Sequence, residues 1–274
     1  MSSSLGLKFL YHTVPGRIIL KQLVKPSVSV RMGKFLSTGL SARLVPGYVK
    51  KNGIDLSRYE VPAGGYVSFN DFFTRKLLPE NRPKPNSGLT APCDGLLTVL
   101  DIDSESNFLI KNSNYSLVRL LKDRELADKF SNGTAFIFRL TPSHYHRYNF
   151  CSNGTVSSQK RISGKLHCVR PIALEQLPVF IENSREYVTI ESEQAGKLIQ
   201  MEVGALFVGK ISNYAHKDET YHVRTTDEKG YFEFGGSTII VLTDHRVSVN
   251  EAILNRKRNE EGEIPVVIGE SLIN

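Results

Sequence analysis

Five short segments of the 274-residue chain concentrate the side chains able to do covalent or proton-transfer chemistry. GYFEFGGSTIIVL, residues 230 to 242, sets Ser237 directly behind two glycines. A hydroxyl so placed can reach the carbonyl of Gly236, because glycine has no Cβ to block the approach and accepts a strained turn. The same letters also suit an ordinary turn or a nest of backbone N–H groups for a phosphate. APCDG, residues 91 to 95, holds Asp94 between proline and glycine, as a turn carboxylate or as an acid that orients an imidazole. TPSHYHRYNF, residues 141 to 150, brings His144 and His146, whose rings exchange protons near neutral pH. Two-residue spacing would also put both rings on one face of a strand, but no third ligand accompanies them and no metal is expected. ISGKLHCVRPIA, residues 162 to 173, adds His167, with structural support or substrate contact as its other roles. GALFVGKISNY, residues 204 to 214, adds Lys210, either a lysine emerging at the end of a buried strand or a cation for a carboxylate or phosphate.

With FNDFFTRKL at residues 69 to 77 ahead of them, these segments and their spacing resemble the phosphatidylserine decarboxylase family over roughly residues 66 to 243. The resemblance implies self-cleavage at the Gly236–Ser237 bond. The Ser237 hydroxyl would attack the preceding carbonyl and turn the amide into an ester. β-Elimination would sever that ester and leave dehydroalanine, which tautomerises and is hydrolysed to a pyruvoyl group with loss of ammonia. That covalent cofactor would serve as the electron sink usually supplied by pyridoxal phosphate, while carbon dioxide leaves phosphatidylserine and phosphatidylethanolamine is released. The resemblance assigns Asp94 to orienting the imidazole that activates the serine and His146 to returning a proton to the α-carbon; GALFVGKISNY resembles a further family element, in which Lys210 is a candidate for substrate binding. One position departs from the pattern: many members carry a second histidine three residues after the first, where this chain has Asn149. An amide cannot take a serine proton. His167 lies in a stretch resembling that of a shorter, bacterial-like branch and is the compensating base, although His146 could serve both steps.

Composition narrows the setting. The net charge of +7 is concentrated at one end: residues 1 to 54 hold nine Lys or Arg and no Asp or Glu, and the remainder is nearly neutral. With no base-reading or stacking motif, that pattern argues against a nucleic-acid partner and for an anionic membrane surface. No apolar run approaches the roughly 18 residues of a spanning helix. LGLKFLYHTVPGRIILKQLVKP, from residue 5, mixes apolar and basic residues as an interfacial segment does. Three cysteines without a CxxC pair make neither a disulfide scaffold nor a zinc or redox site. A peripheral enzyme on the cytoplasmic face of a bacterial cell membrane is expected, with the mitochondrial inner membrane or the cytoplasm as alternatives. The self-cleaved chains should stay associated, and a homodimer is compatible with the sequence.

The elements that must position these residues read as an α+β fold: a compact β-rich decarboxylase domain, residues 61 to 274, behind a helical, basic N-terminal region, residues 1 to 60. LLTVLDI, GTAFIFRL, YVTIES, ALFVGKI and STIIVLT read as strands. FNDFF reads as a helix capped by Asn70 or Asp71, and YSLVRLLKDRELADKF and PIALEQL as further helices. Competing functions are decarboxylation of a soluble amino acid and a non-processed, membrane-binding homologue in which Asn149 marks lost chemistry.

Overall fold

STIIVLT is dominated by β-branched and leucine side chains, and such a run is most stable as a strand covered on both faces. The computed structural model describes residues 5–110, 113–206, 210–214, 220–234 and 237–274. Its strands are β1 (Gly95–Asp101), β2 (Asn107–Ile110), β3 (Ser113–Ser116), β4 (Thr134–Leu140), β5 (Arg147–Asn149), β6 (Gly154–Ile162) and β7 (Arg185–Ser192). They continue with β8 (Lys197–Val203), β9 (Ile211–Asn213), β10 (Tyr221–Val223), β11 (Glu228–Phe232), β12 (Ser237–Thr243) and β13 (Ile264–Val266). Eight form one sheet in the order β10-β6-β7-β8-β12-β4-β1-β13, with all pairs antiparallel. STIIVLT is β12; every residue of it is buried, and β4 and β8 pair with it on either side.

Register decides which side chains share a face. Ser237 and Ile239 point the same way, and Ile239 stands opposite Glu202. A second sheet, β5-β11-β9, covers that face. The strands of this small sheet run close together: a Cβ on Gly230 would lie 2.3 Å from the Ser212 carbonyl oxygen of β9. Its anchor is the Lys229 ammonium on β11, which donates to the fully buried Glu202 carboxylate on β8 and, at 3.1 Å, to Asn213 Oδ1. Burial pushes the Glu202 carboxyl above its usual range, against the pull of Lys229. The opposite face meets short helices: Arg185 Nε donates to the Leu120 carbonyl and Tyr187 Oη to that of Leu121.

The N-terminal region is helical in pieces, as its prolines require. Helices α1 (Leu5–His12), α2 (Val14–Leu23), α3 (Pro26–Leu36) and α4 (Val45–Asn52) precede α5 (Phe69–Phe73). Thr13 caps α2 by accepting from the Gly16 N–H at 3.0 Å, with Pro15 in the first turn. Tyr11, Leu20 and Val24 enter the main core, whereas Leu36, Val45 and Ile54 join Phe69, Phe72 and Phe73 in a second cluster.

Three sequence expectations change. YSLVRLLKDRELADKF divides into β3, α6 (Leu117–Leu121) and α7 (Arg124–Asp128), because Lys122 takes a left-handed conformation and Asp123 starts a new cap. PIALEQL shortens to α8 (Pro171–Leu174), followed by α9 (Val179–Glu182), since Pro178 intervenes. The last helix is α10 (Glu251–Leu254). The cap of α5 is Ser68, whose hydroxyl accepts from the Asp71 N–H at 3.1 Å; Asp71 instead accepts from the Val67 N–H. Of ALFVGKI, residues 207–209 lie outside the described residues and β9 begins at Ile211.

Removing one partner of a buried ion pair leaves an uncompensated charge. Lys229→Met is therefore expected to lower the free energy of unfolding by about 3–5 kcal/mol in urea titrations. A loss near zero would show that the pair does not hold the two sheets together.

Candidate active site

Ser237 is the first residue of β12 and is fully buried. Its pairing with Leu140, the last residue of β4, places the head of β12 beside the turn that carries the histidines. On its other side Thr238 pairs with Val203, so the next step of the register sets Ser237 opposite Gly204. Among the described residues the Ser237 Oγ has no hydrogen-bond partner. Gly236, the other half of the expected cleavage bond, lies outside the described residues.

His144 and His146 sit in the connection between β4 and β5 rather than on a strand. The His146 Nδ1–H donates to the His144 carbonyl at 2.9 Å, which leaves Nε2 as the lone-pair nitrogen, and Nε2 has no partner among the described residues. The ring is fully buried, with the Phe73 ring centroid 4.0 Å away. Burial, reinforced by Arg75 and His144, drives its pKa well below that of an ordinary histidine. The backbone of the same residue accepts from the Phe232 N–H at 2.9 Å, tying it to the strand that leads toward Ser237.

Helix α5 grips both sides of this arrangement. Phe73 covers His146, and Phe69 and Phe73 meet Phe234 edge-on. Asn70, expected as a cap, accepts from the Phe234 N–H at 3.2 Å instead. Polar side chains at two adjacent positions of FNDFF gave no signal in the sequence as to which would reach a distant backbone.

Asp94 lies at the same end of the sheet, but its carboxylate does not meet His146. Oδ1 accepts from the Ile268 N–H at 3.0 Å and Oδ2 lies 3.9 Å from Arg58, so the carboxylate ties a C-terminal segment down. Burial raises its pKa, against that hydrogen bond and the nearby Arg58 and Arg75. Asn149 is a strut: Nδ2 donates to the Thr225 carbonyl at 2.9 Å, and its own carbonyl accepts from Gln200 Nε2 at 3.0 Å. Its N–H donates to the Pro92 carbonyl, which brings the position close to the Asp94 turn.

His167 is 6% exposed and its Nδ1 has no partner among the described residues. Asn183 clasps it, accepting from the His167 N–H at 2.8 Å and donating to the carbonyls of His167 and Gly204 at 2.9 and 2.7 Å. Because Gly204 stands opposite Ser237, this clasp connects His167 to the reacting strand. Gly204 also permits a close approach, since a Cβ there would lie 3.0 Å from the Leu166 side chain. No sequence motif singled out Asn183. The Lys210 side chain is exposed; its carbonyl accepts from the Glu233 N–H at 3.0 Å, and its charge partly offsets the burial that raises the Glu233 carboxyl. Glu233, four residues before Ser237, was also missed.

Among the described residues the surface cavities include an apolar one of about 180 Å³ near Ile137, Leu174 and Phe180, and a polar one of about 300 Å³ near Lys76, Asn149 and Glu228. Neither is lined by Ser237, His146 or His167.

The buried His146 and His167 and the half-buried His144 thus share one electrostatic state. His144 is pulled down to about 4 by burial, assisted by Arg139; His167 is pulled to about 4 by burial, assisted by Lys165. In the unfolded chain each takes up a proton near its ordinary 6.5, so the unfolded state binds more protons below that pH. Their contribution to stability is complete above 6.5 and is lost as pH falls toward 4. Urea unfolding of the Ser237→Ala protein should show stability falling between pH 7 and 5, by up to about 1.4 kcal/mol per pH unit for each histidine. His144→Gln should flatten that slope; an unchanged slope would show that His144 is not held neutral.

Comparison of the whole sequence with known proteins identifies the family. A family profile described as phosphatidylserine decarboxylase matches residues 69–274. A Clostridium acetobutylicum protein named phosphatidylserine decarboxylase proenzyme 2 is 42% identical over 252 residues, covering 90% of this chain and 84% of that protein. Phosphatidylserine decarboxylase proenzymes of Clostridium botulinum and Clostridium novyi are 36% and 35% identical, each over 97% of this chain and 91% of their own length. A likeness of this extent takes in β12, the histidine turn and the Asp94 turn in one colinear stretch, and the chain belongs to the phosphatidylserine decarboxylase family of carboxy-lyases.

Proposed function

We propose that the chain cleaves itself between Gly236 and Ser237, carries the resulting pyruvoyl group at the head of β12, and decarboxylates phosphatidylserine to phosphatidylethanolamine. The observation that carries this reading is the Ser237 hydroxyl: fully buried, without a hydrogen-bond partner among the described residues, at the end of a central strand. An unpaired buried hydroxyl costs about 1–3 kcal/mol, and such orphans concentrate where chemistry requires them. The residues fit the group, because a modified residue 237 stays joined through Thr238 to β12, which β4 and β8 hold on both edges, and the imidazoles of His146 and His167 are kept neutral by burial. When formed, the pyruvoyl group supplies an electron sink for the carboxylate's bonding electrons.

The chain's own residues do the rest. His167 Nδ1 takes the Ser237 hydroxyl proton, the task that Asn149 cannot perform. His146 Nε2 accepts a proton given up by the substrate ammonium and returns one to the α-carbon, while its Nδ1–H stays on the His144 carbonyl. Phe73 and Phe234 exclude water from that ring. Lys210, exposed at the start of β9, attracts the substrate carboxylate or phosphate. Asp94 supports the site through the Ile268 backbone, on the far side of the cleavage point.

The substrate comes from a lipid surface. Among the described residues no helix is long and apolar enough to cross a membrane. Helices α1 to α3 instead expose Leu5, Val14 and Ile18 alongside Lys8, Arg17, Lys21 and Arg31. That mixture suits the headgroup region of an anionic leaflet, here taken as the cytoplasmic face of a bacterial membrane.

Intact-mass measurement of the full-length chain tests the processing step. Two fragments dividing at Gly236 and Ser237 are expected, the second blocked by pyruvoyl, with Ser237→Ala remaining a single chain. The fragments should co-purify natively, because β12 pairs on both edges with strands of the first fragment. Carbon dioxide release from phosphatidylserine vesicles but not from free serine is expected; a single uncleaved chain in the presence of such vesicles would overturn the reading.

A further inference from the structure

The N-terminal helices do more than face outward. Tyr11, near the end of α1, is 2% exposed, and its phenol oxygen accepts from the Cys168 N–H at 2.9 Å. Its ring centroid lies 6.3 Å from that of His167. One residue past the end of α2, the Val24 carbonyl accepts from the Leu166 N–H at 3.0 Å. The N–H groups on both sides of His167 are therefore bonded to the N-terminal helical region, and its own N–H to Asn183. Its carbonyl takes hydrogen bonds from Asn183 Nδ2 and from the Leu206 N–H, the latter at 3.2 Å. Of the backbone bonds that hold residues 166 to 168 among the described residues, two thus go to residues 11 and 24.

We infer that Tyr11 is a positioning residue: its hydroxyl fixes the 166–168 segment so that the His167 imidazole is held beside the head of β12. The inference rests on the reading in which His167 is the processing base. Burial holds the Tyr11 phenol well above its usual pKa, so it remains an uncharged acceptor at neutral pH. The same helices carry the basic and apolar side chains proposed to meet lipid, so seating the protein on a membrane and ordering its processing base use one brace. A phenylalanine at position 11 keeps the ring and removes only the acceptor, leaving the Cys168 N–H unpaired and the His167 segment free to shift and admit water.

The pH profile separates positioning from general destabilisation. Among the described residues the charged and titratable groups around His167 are Lys165 and Glu182, ion-paired with each other at 3.0 Å, the Tyr11 phenol and the half-buried Cys168 thiol. A base must be neutral to act, so processing falls on acidification through the pKa of His167, which burial pulls to about 4. Hydration of the ring raises that pKa toward the ordinary value and moves the acid limb upward.

The test follows cleavage of freshly synthesised full-length wild-type, Tyr11→Phe and His167→Ala chains by intact mass from pH 4.5 to 8. Expected for Tyr11→Phe is cleavage about tenfold slower at neutral pH, an allowance of ~1.4 kcal/mol, with the acid limb displaced upward. His167→Ala should not cleave. If His167→Ala fails to cleave while Tyr11→Phe matches the wild type in rate and acid limb, the positioning inference alone falls. If Tyr11→Phe is slow with an unmoved acid limb, its role is structural and the inference also falls. Cleavage of His167→Ala at the wild-type rate would remove the underlying base assignment.

Discussion

The backbone ladder on either side of β12 is the constraint to which the other features answer. Under the proposed self-cleavage, β12 would lose its upstream peptide bond and would have only its hydrogen bonds and its buried side chains to keep it in place. β4 and β8 supply the bonds, and Ile239 to Leu242 are fully buried. Burial of each such side chain contributes about 1.5–3 kcal/mol, and that contribution does not depend on whether residue 237 remains joined to 236. The same register sets Ser237 against Leu140 and Gly204. The histidine turn, the Asn183 clasp and, one strand further, the Asp94 turn thereby arrive at one end of the sheet.

Low dielectric surroundings then decide the state of each ionisable group. A charge buried without a partner is too costly to keep, so the histidines around the site remain neutral, whereas Lys229 and Glu202 stay together as a pair. The pair spans the two sheets and so fixes the height at which β11 passes over β8. From β11 the chain continues through Phe234, held by Asn70, to the head of β12. Seven buried side-chain polar atoms are without partners among the described residues, on Ser29, Arg75, Tyr115, His146, His167, Ser237 and Thr238, and the last two open β12.

The N-terminal helices are joined to this arrangement rather than appended to it. Tyr11, Leu20 and Val24 share the main core with β12 and β8, and the second aromatic cluster runs from Leu36 through α5 to Phe234. One surface of the helices keeps its lysines, arginines and large apolar side chains in solvent, and the buried stripe holds segments that carry His146 and His167.

By itself the sequence marked the family and four strands of the large sheet, β1, β4, β7 and β12. A serine behind two glycines, an imidazole in TPSHYHRYNF and a β-branched run such as STIIVLT are local statements, set by covalent structure and by side-chain period, and they survive without knowledge of the fold. The concentration of positive charge before residue 55 was legible for the same reason. Only the tertiary structure decided the partners. Asp94 meets the Ile268 N–H rather than an imidazole, Asn149 spans to Thr225, Asn70 reaches Phe234 instead of capping its helix, and Tyr11 holds Cys168 from far along the chain. Each of these bonds joins a side chain to a backbone group that any residue would present, so the sequence carries no mark of it. Which backbone group comes within reach depends on the register and packing of whole sheets, and that is a property of the folded chain.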